Sequence, residues 1–227
     1  MLATAIKNPS RIPKYLFWRS GLESKFNKNV RKRVPFSHES VVSDCSAQVS
    51  YLPAFSSRLH KEAKLLQQSI GDYKADKSLE IGCGFGRLTP WIMEYSMEHY
   101  AVEPEKNLFN DAKQQNPQAR FYNIAAQKLP FPNNFFDLCV SWTVIQHMPP
   151  NEQIKAIEEI KRVAKKTAVL IVAEETGTYE GNTIWMRPME NWVELFKPWQ
   201  LVWQTDRILE ETARNPQGKI MRFELKL

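Results

Sequence analysis

The feature that most constrains the fold of this chain is a regular alternation that begins near residue 78. Short β-like runs at 78–81, 100–103, 120–124, 136–142 and 167–173 alternate with segments of helical periodicity near 87–96, 106–115, 145–149 and 151–164. Strands separated by helix-length segments pair in parallel through crossovers, so this rhythm predicts a parallel sheet with helices on both faces. Ahead of it, the spacing of Phe55, Leu59, Ala63, Leu66 and Ile70 predicts a leading helix from Pro53, with Gly71 as its stop. The tail breaks the rhythm. Runs at 201–208 and 219–227, joined through Asn215, Pro216 and Gly218, predict an antiparallel hairpin at one side of the sheet.

A chain of 227 residues, 43% of them hydrophobic, can bury one full core. The expected organisation is a core domain over 51–227 and a basic extension over 1–50. Residues 1–40 hold nine Lys and Arg against Glu23 and Glu39, a net +7 in a chain whose total is +6. The basic character therefore belongs to the extension and not to the core. No apolar run reaches the roughly 18 residues of a spanning helix and no secretory pattern follows Met1, so a cytoplasmic location is expected. Cys45, Cys83 and Cys139 form no CxxC pair, which argues against a disulfide framework or a structural metal site.

The densest signal is Ser78-Leu79-Glu80-Ile81-Gly82-Cys83-Gly84-Phe85-Gly86-Arg87, which reads as a strand, a glycine loop and a helix start. Glycines let backbone approach a ligand closely, and a helix amino terminus offers unpaired N–H groups. Glu103 ends the next β-like run 21 residues after Gly82. In a βαβ nucleotide-binding unit, an acid about 20 residues on accepts hydrogen bonds from ribose hydroxyls. The GxGxG spacing differs from the dinucleotide pattern GxGxxG, and the acidic Glu80 before the loop is foreign to that pattern.

At these residues the chain resembles the class I S-adenosylmethionine-dependent methyltransferases, particularly those with an E-x-G-x-G-x-G loop. The resemblance continues through Ala125-Ala126-Gln127-Lys128-Leu129-Pro130-Phe131, similar to the family's adenine-binding turn, and Val140-Ser141-Trp142-Thr143-Val144-Ile145-Gln146-His147-Met148, similar to its fourth motif. It implies a Rossmann-like fold with a seven-stranded, mostly parallel sheet, and S-adenosylmethionine as cofactor. It further implies that Gly82, Gly84 and Gly86 flank the methionine part of the donor, that Glu80 supports the loop and that Glu103 holds the ribose. Ala126 and Gln127 would sit against adenine, and Ser141 belongs to the same cofactor set. Ala125 stands where the family often has an aspartate that accepts from the adenine amino group, so Gln127 or backbone has to fill that role.

Methyl transfer from a sulfonium needs alignment, water exclusion and, for some acceptors, a base. His147 is the candidate base, since it follows a strand that ends over the donor and imidazole suits proton removal near neutral pH. Glu174 and Glu175 follow an apolar run at the carboxyl edge, where one of them would face the acceptor. Tyr179, Trp185 and Arg187 are expected to wall the acceptor pocket, whereas Trp192 and Phe196, four apart on one helix face, are expected in the core.

If residues 11–28 form a helix, Arg11, Lys14, Lys25 and Lys28 oppose Ile12, Tyr15, Leu16, Leu22 and Phe26. Such a face suits either a membrane surface or packing on its own domain. Two acceptor classes follow: a small-molecule, saccharide or lipid-linked compound, with peripheral membrane contact through 1–33, or RNA held by phosphate contacts to 7–33. Against RNA stand the near-neutral core and the absence of an Asn-Pro-Pro-Tyr-like motif. A donor-binding protein without catalysis is the third alternative.

Overall fold

The computed structural model describes residues 53–178, 184–207 and 218–225. The sequence expectations for residues 1–50, for Tyr179 and for the turn at Asn215 and Pro216 lie outside them.

Helix α1 (Pro53–Ile70) ends where expected, with the Gly71 N–H donating 2.8 Å to the Gln67 carbonyl. Arg222 closes the same terminus by donating to the carbonyls of Ser69, at 3.2 Å, and Ile70, at 2.8 Å, so orphan acceptors of the last turn are satisfied. The chain then runs β1 (Ala75–Ile81), α2 (Thr89–Met93), β2 (Ser96–Val102), α3 (Lys106–Gln115), β3 (Arg120–Tyr122), β4 (Phe136–Trp142), a 3-10 turn (Ile145–His147), α4 (Pro150–Val163), β5 (Ala164–Glu175), α5 (Met189–Phe196), β6 (Gln200–Asp206) and β7 (Gly218–Glu224).

The seven strands form one sheet in the order β3-β2-β1-β4-β5-β7-β6. The first five pair in parallel, and β7 lies antiparallel to both β5 and β6. The hairpin thus joins the sheet by its second strand, which leaves β6 at the edge.

Period-2 alternation divides the core between the two faces. On β5, Ala168, Leu170 and Val172 pack toward α4 and α5 with Ile157, Ile160, Trp192 and Phe196, while Val169, Ile171 and Ala173 pack toward α1 and α2 with Leu66, Ile70 and Ile92. Phe136 belongs to the first face although Leu138, two residues on, belongs to the second. A register shift between Phe136 and Leu138 changes the parity there. Trp192 and Phe196 are fully buried, as their helical spacing predicts.

Three boundaries differ from the sequence reading. The helix expected over 87–96 is only Thr89–Met93, because the glycine loop extends past Arg87. The one expected over 145–149 is a single 3-10 turn, cut short by Pro149 and Pro150. β5 continues two residues beyond Ala173, so Glu174 lies in the strand and obeys its alternation rather than facing solvent from a loop.

Candidate active site

The carboxyl ends of β1, β2 and β4 open on one cleft of about 180 Å3, where ligands bind in sheets of this kind. Gly82, Cys83, Gly84 and Phe85 form its floor, Glu103, Pro104 and Glu105 one side, Ala125, Ala126 and Gln127 the end, and Thr143, Val144, His147 and Met148 the opposite wall.

The three loop glycines all have positive φ (64°, 58° and 82°) but do three different jobs. A Cβ on Gly82 would lie 2.5 Å from a Val144 methyl, so this glycine lets the loop meet the opposite wall. A Cβ on Gly84 would meet nothing within 4 Å, and it faces the cleft. A Cβ on Gly86 would lie 2.5 Å from Asn116 Nδ2 and 3.2 Å from the Ala112 backbone. Gly86 therefore serves helix packing and does not line the cleft, which corrects its placement beside the donor.

A testable contrast follows. Gly82→Ala should destabilise the protein by a few kcal/mol, through overpacking against Val144 added to the left-handed backbone cost. Gly84→Ala should cost only about 1–2 kcal/mol, the backbone term alone, yet place a methyl group in the cleft. Urea denaturation of the two variants checks the order.

Glu80 is buried and accepts from Thr89 Oγ1 at 2.6 Å, which ties the start of α2 to β1 and supports the loop without touching the cleft. His99 Nε2 stands 3.4 Å from the same carboxylate, and its Nδ1 shares a 2.7 Å contact with Ser78 Oγ.

Glu103 sits just past the end of β2 and is buried. Its Oε2 accepts from the Gly84 N–H and its Oε1 from the Glu105 N–H, each at 2.9 Å. Burial pushes its carboxyl above the usual range, and those two N–H groups pull in the opposite direction. Asn123 was not anticipated from the sequence; it fixes this turn by donating 2.8 Å to the carbonyls of both Glu103 and Pro104.

On the opposite wall, Thr143 adopts φ 57°, rare for a β-branched residue, and is held by donation to the Ala173 carbonyl at 2.6 Å. His147 reaches the cleft from the end of the 3-10 turn, with its Nε2 3.4 Å from Gln146 Nε2. Glu174 does not reach it. Its carboxylate is fully buried beneath the turn, so its expected role toward an acceptor is corrected. Ser141 is likewise buried, 3.4 Å from Glu174, and does not line the cleft.

Trp185 and Arg187 do not line the cleft either. The Trp185 N–H donates 2.8 Å to the Gln146 carbonyl, and Arg187 bonds the Gln153 side chain and the Pro150 carbonyl. Cys83 is a buried thiol pushed well up by burial and by Glu80 and Glu103, which suits packing and not nucleophilic attack. Among the described residues, no His, Cys, Asp or Glu group could hold a metal ion and no helix is long and apolar enough to cross a membrane.

A doubly wound sheet closed by an antiparallel hairpin, with a glycine loop and a buried acid at its carboxyl edge, defines a Rossmann-like domain of the methyltransferase type. A family model described as a methyltransferase domain matches residues 79–172. A ubiquinone/menaquinone biosynthesis C-methyltransferase, UbiE of Campylobacter jejuni, is 28% identical over 116 residues, covering 48% of this chain and 48% of that protein. The ribosomal RNA small subunit methyltransferase A of Metamycoplasma arthritidis is 34% identical over 122 residues, covering 50% and 45%. The crystal structure of the N-methyltransferase NodS from Bradyrhizobium japonicum, in complex with S-adenosyl-L-homocysteine, shares the fold with a TM-score of 0.66 at 14% identity, over 81% of this chain and 93% of that one. The matches span less than half the length of these curated relatives. Residues 79–172 thus match a methyltransferase domain, and the fold is the Rossmann-like one of S-adenosylmethionine-dependent methyltransferases.

Proposed function

We propose that the protein is an S-adenosylmethionine-dependent methyltransferase acting on a small-molecule, saccharide or lipid-linked acceptor. One observation carries the donor half: the buried Glu103 carboxylate beside the Gly84 amide, at the mouth of the cleft. Each carboxylate oxygen has two acceptor positions and spends one on a backbone N–H, which leaves capacity for two ribose hydroxyls. Gln127 Oε1 is buried at the end of the cleft with no hydrogen-bond partner among the described residues, and is the acceptor we assign to the adenine amino group in place of an aspartate at Ala125. The open space over Gly84 completes the fit.

When bound, this donor supplies a methyl group already activated by a sulfonium. The residues of this chain bind, align and exclude water, with Val144 and Met148 providing apolar wall and His147 taking up a proton where the acceptor is a hydroxyl. A C-methyltransferase of ubiquinone/menaquinone biosynthesis among the relatives supports a small acceptor. The ribosomal RNA relative supports RNA as the second reading. We further propose a cytoplasmic location, with residues 1–33 touching anionic membrane.

Titration calorimetry of the full chain with S-adenosylmethionine and S-adenosylhomocysteine should give saturable binding. Folded protein that binds neither would overturn the donor assignment. Cell extract incubated with enzyme and methyl-labelled donor should then carry label in an extractable small molecule. Label in RNA would select the second reading, and binding of the donor without any label would select a protein that holds the donor and does not transfer it.

A further inference from the structure

Glu174 is fully buried, and its carboxylate accepts from three backbone N–H groups besides the Ser141 hydroxyl. Oε1 accepts from the N–H of Ile145 at 3.0 Å and of Val144 at 3.3 Å, and Oε2 from the N–H of Gln146 at 3.0 Å. These are successive amides at the start of the 3-10 turn, which have no intrahelical acceptor of their own. The next residue repeats the attachment, since the Glu175 N–H donates 2.6 Å to the Gln146 side chain. The end of β5 is thereby strapped to residues 144–146 by four hydrogen bonds.

What the strap holds is one wall of the cleft. Thr143 immediately precedes it, in a backbone conformation that persists only where its surroundings over-determine it. Val144 faces the glycine loop at van der Waals distance, as the 2.5 Å approach to a Cβ on Gly82 requires. His147 is carried on the last residue of the same turn.

We propose that Glu174 is a positioning residue whose carboxylate clamps residues 144–146, and so fixes Thr143, Val144 and His147 against the donor. This rests on the donor reading above.

The clamp is a charged group in a dry place, so its protonation has two effects of opposite sign. Burial raises the Glu174 carboxyl to about 7, against the pull of the three N–H groups and of Arg207. The charged groups nearby include Arg207, which follows β6, Glu175 and Glu62, which both stand against Arg207, Lys219, which lies opposite Glu174 on β7 and pairs with Asp206, and His147 on the turn when it is protonated. Above that value both oxygens accept and the clamp is complete. Below it one oxygen carries a proton, and its N–H partner is left with a weaker acceptor, so donor affinity should fall as pH drops through about 7. Stability moves the other way. A carboxyl raised in the folded state binds its proton more tightly there than in the unfolded chain, so stability falls as pH rises from the ordinary carboxylate range to about 7.

The test compares wild type with Glu174→Gln, which keeps the shape and one acceptor but not the charge. S-adenosylmethionine affinity is measured by calorimetry from pH 6 to 8.5, and the melting temperature over the same range. At pH 8 the variant should melt at or above wild type yet bind the donor about tenfold more weakly, the effect of one charge-assisted hydrogen bond. The fall centred near pH 7 should be absent from the variant, while the fall that Glu103 carries should remain in both proteins. Affinity within twofold of wild type, or a loss matched by a lower melting temperature, would overturn the proposal. If the variant does not fold, the wild-type amide protons of Ile145 and Gln146 decide by NMR. They should titrate together near pH 7, also in His147→Gln, and flat curves, or curves abolished by His147→Gln, would overturn it. Wild type that shows this amide titration but no donor binding would count against the donor reading alone.

Discussion

Glu103→Ala should weaken S-adenosylmethionine binding by about a hundredfold or more. Two ribose hydroxyls donating to one carboxylate make two hydrogen bonds to a charged acceptor, each worth about 1.5–3 kcal/mol, and every 1.4 kcal/mol is tenfold in affinity. The substitution also removes the acceptor that holds the Gly84 and Glu105 amides at 2.9 Å, so the loop loses part of its preorganisation. Glu103→Gln keeps one strong acceptor and should lose less. Because burial raises this carboxyl, it takes up a proton at higher pH than an ordinary glutamate, and wild-type affinity should fall on acidification before an exposed carboxylate would respond. Removing the carboxylate also takes the acceptor from the Gly84 and Glu105 amides, so the melting temperature of Glu103→Ala is the control that separates lost binding from lost fold. Calorimetry and thermal unfolding on the same samples check both. An unchanged dissociation constant, or a loss explained by unfolding, would remove Glu103 from the donor site.

The cleft was legible because its lining is local in sequence. A glycine loop between a strand and a helix, and an acid at the end of the next strand, are placed by one crossover whose geometry the parallel sheet dictates. Gly82, Gly84, Ala126 and Gln127 accordingly line one cleft, and Glu80 lies beneath it bonded to Thr89. Gly86 was not separable from its neighbours, since what distinguishes it is Ala112 on α3 and Asn116 just past its end, 26 and 30 residues away. Glu174 departs from its expected place because the strand runs two residues past Ala173. Extended by two residues, its alternation puts Glu174 on the face of Leu170 and Val172, where a carboxylate must find backbone donors. The acceptor pocket depends on side chains brought together from distant segments, and neither motif nor period announces those.

Glu62 is the clearest case of a long-range partner, and its removal should be among the most costly substitutions in the chain. It lies on α1, only 1% exposed, where it accepts from Arg87, accepts at 3.3 Å from Trp142 Nε1 and stands 3.8 Å from Arg207 Nη1. Arg87 and Trp142 both line the cleft, so this carboxylate fastens the leading helix to its wall. Arg207 is 8% exposed and also pairs with Glu175. Taking one partner from a buried ion pair costs up to about 3–5 kcal/mol, and less to the extent that Arg207 keeps Glu175 as counter-ion. Against the 5–15 kcal/mol that holds a typical domain together, Glu62→Ala should shift the urea midpoint far down while leaving the slope unchanged. Arg87 is the more exposed of the two cations, with 19% of its side chain accessible, and can turn partly to solvent. Adding Arg87→Met to Glu62→Ala should therefore recover only part of the loss, whereas Glu62→Gln, which keeps an acceptor for Trp142, should recover more of the donor affinity than of the stability. A Glu62→Ala protein less than about 1 kcal/mol weaker than wild type would place this pair with exposed ion pairs, whose contribution is of that size.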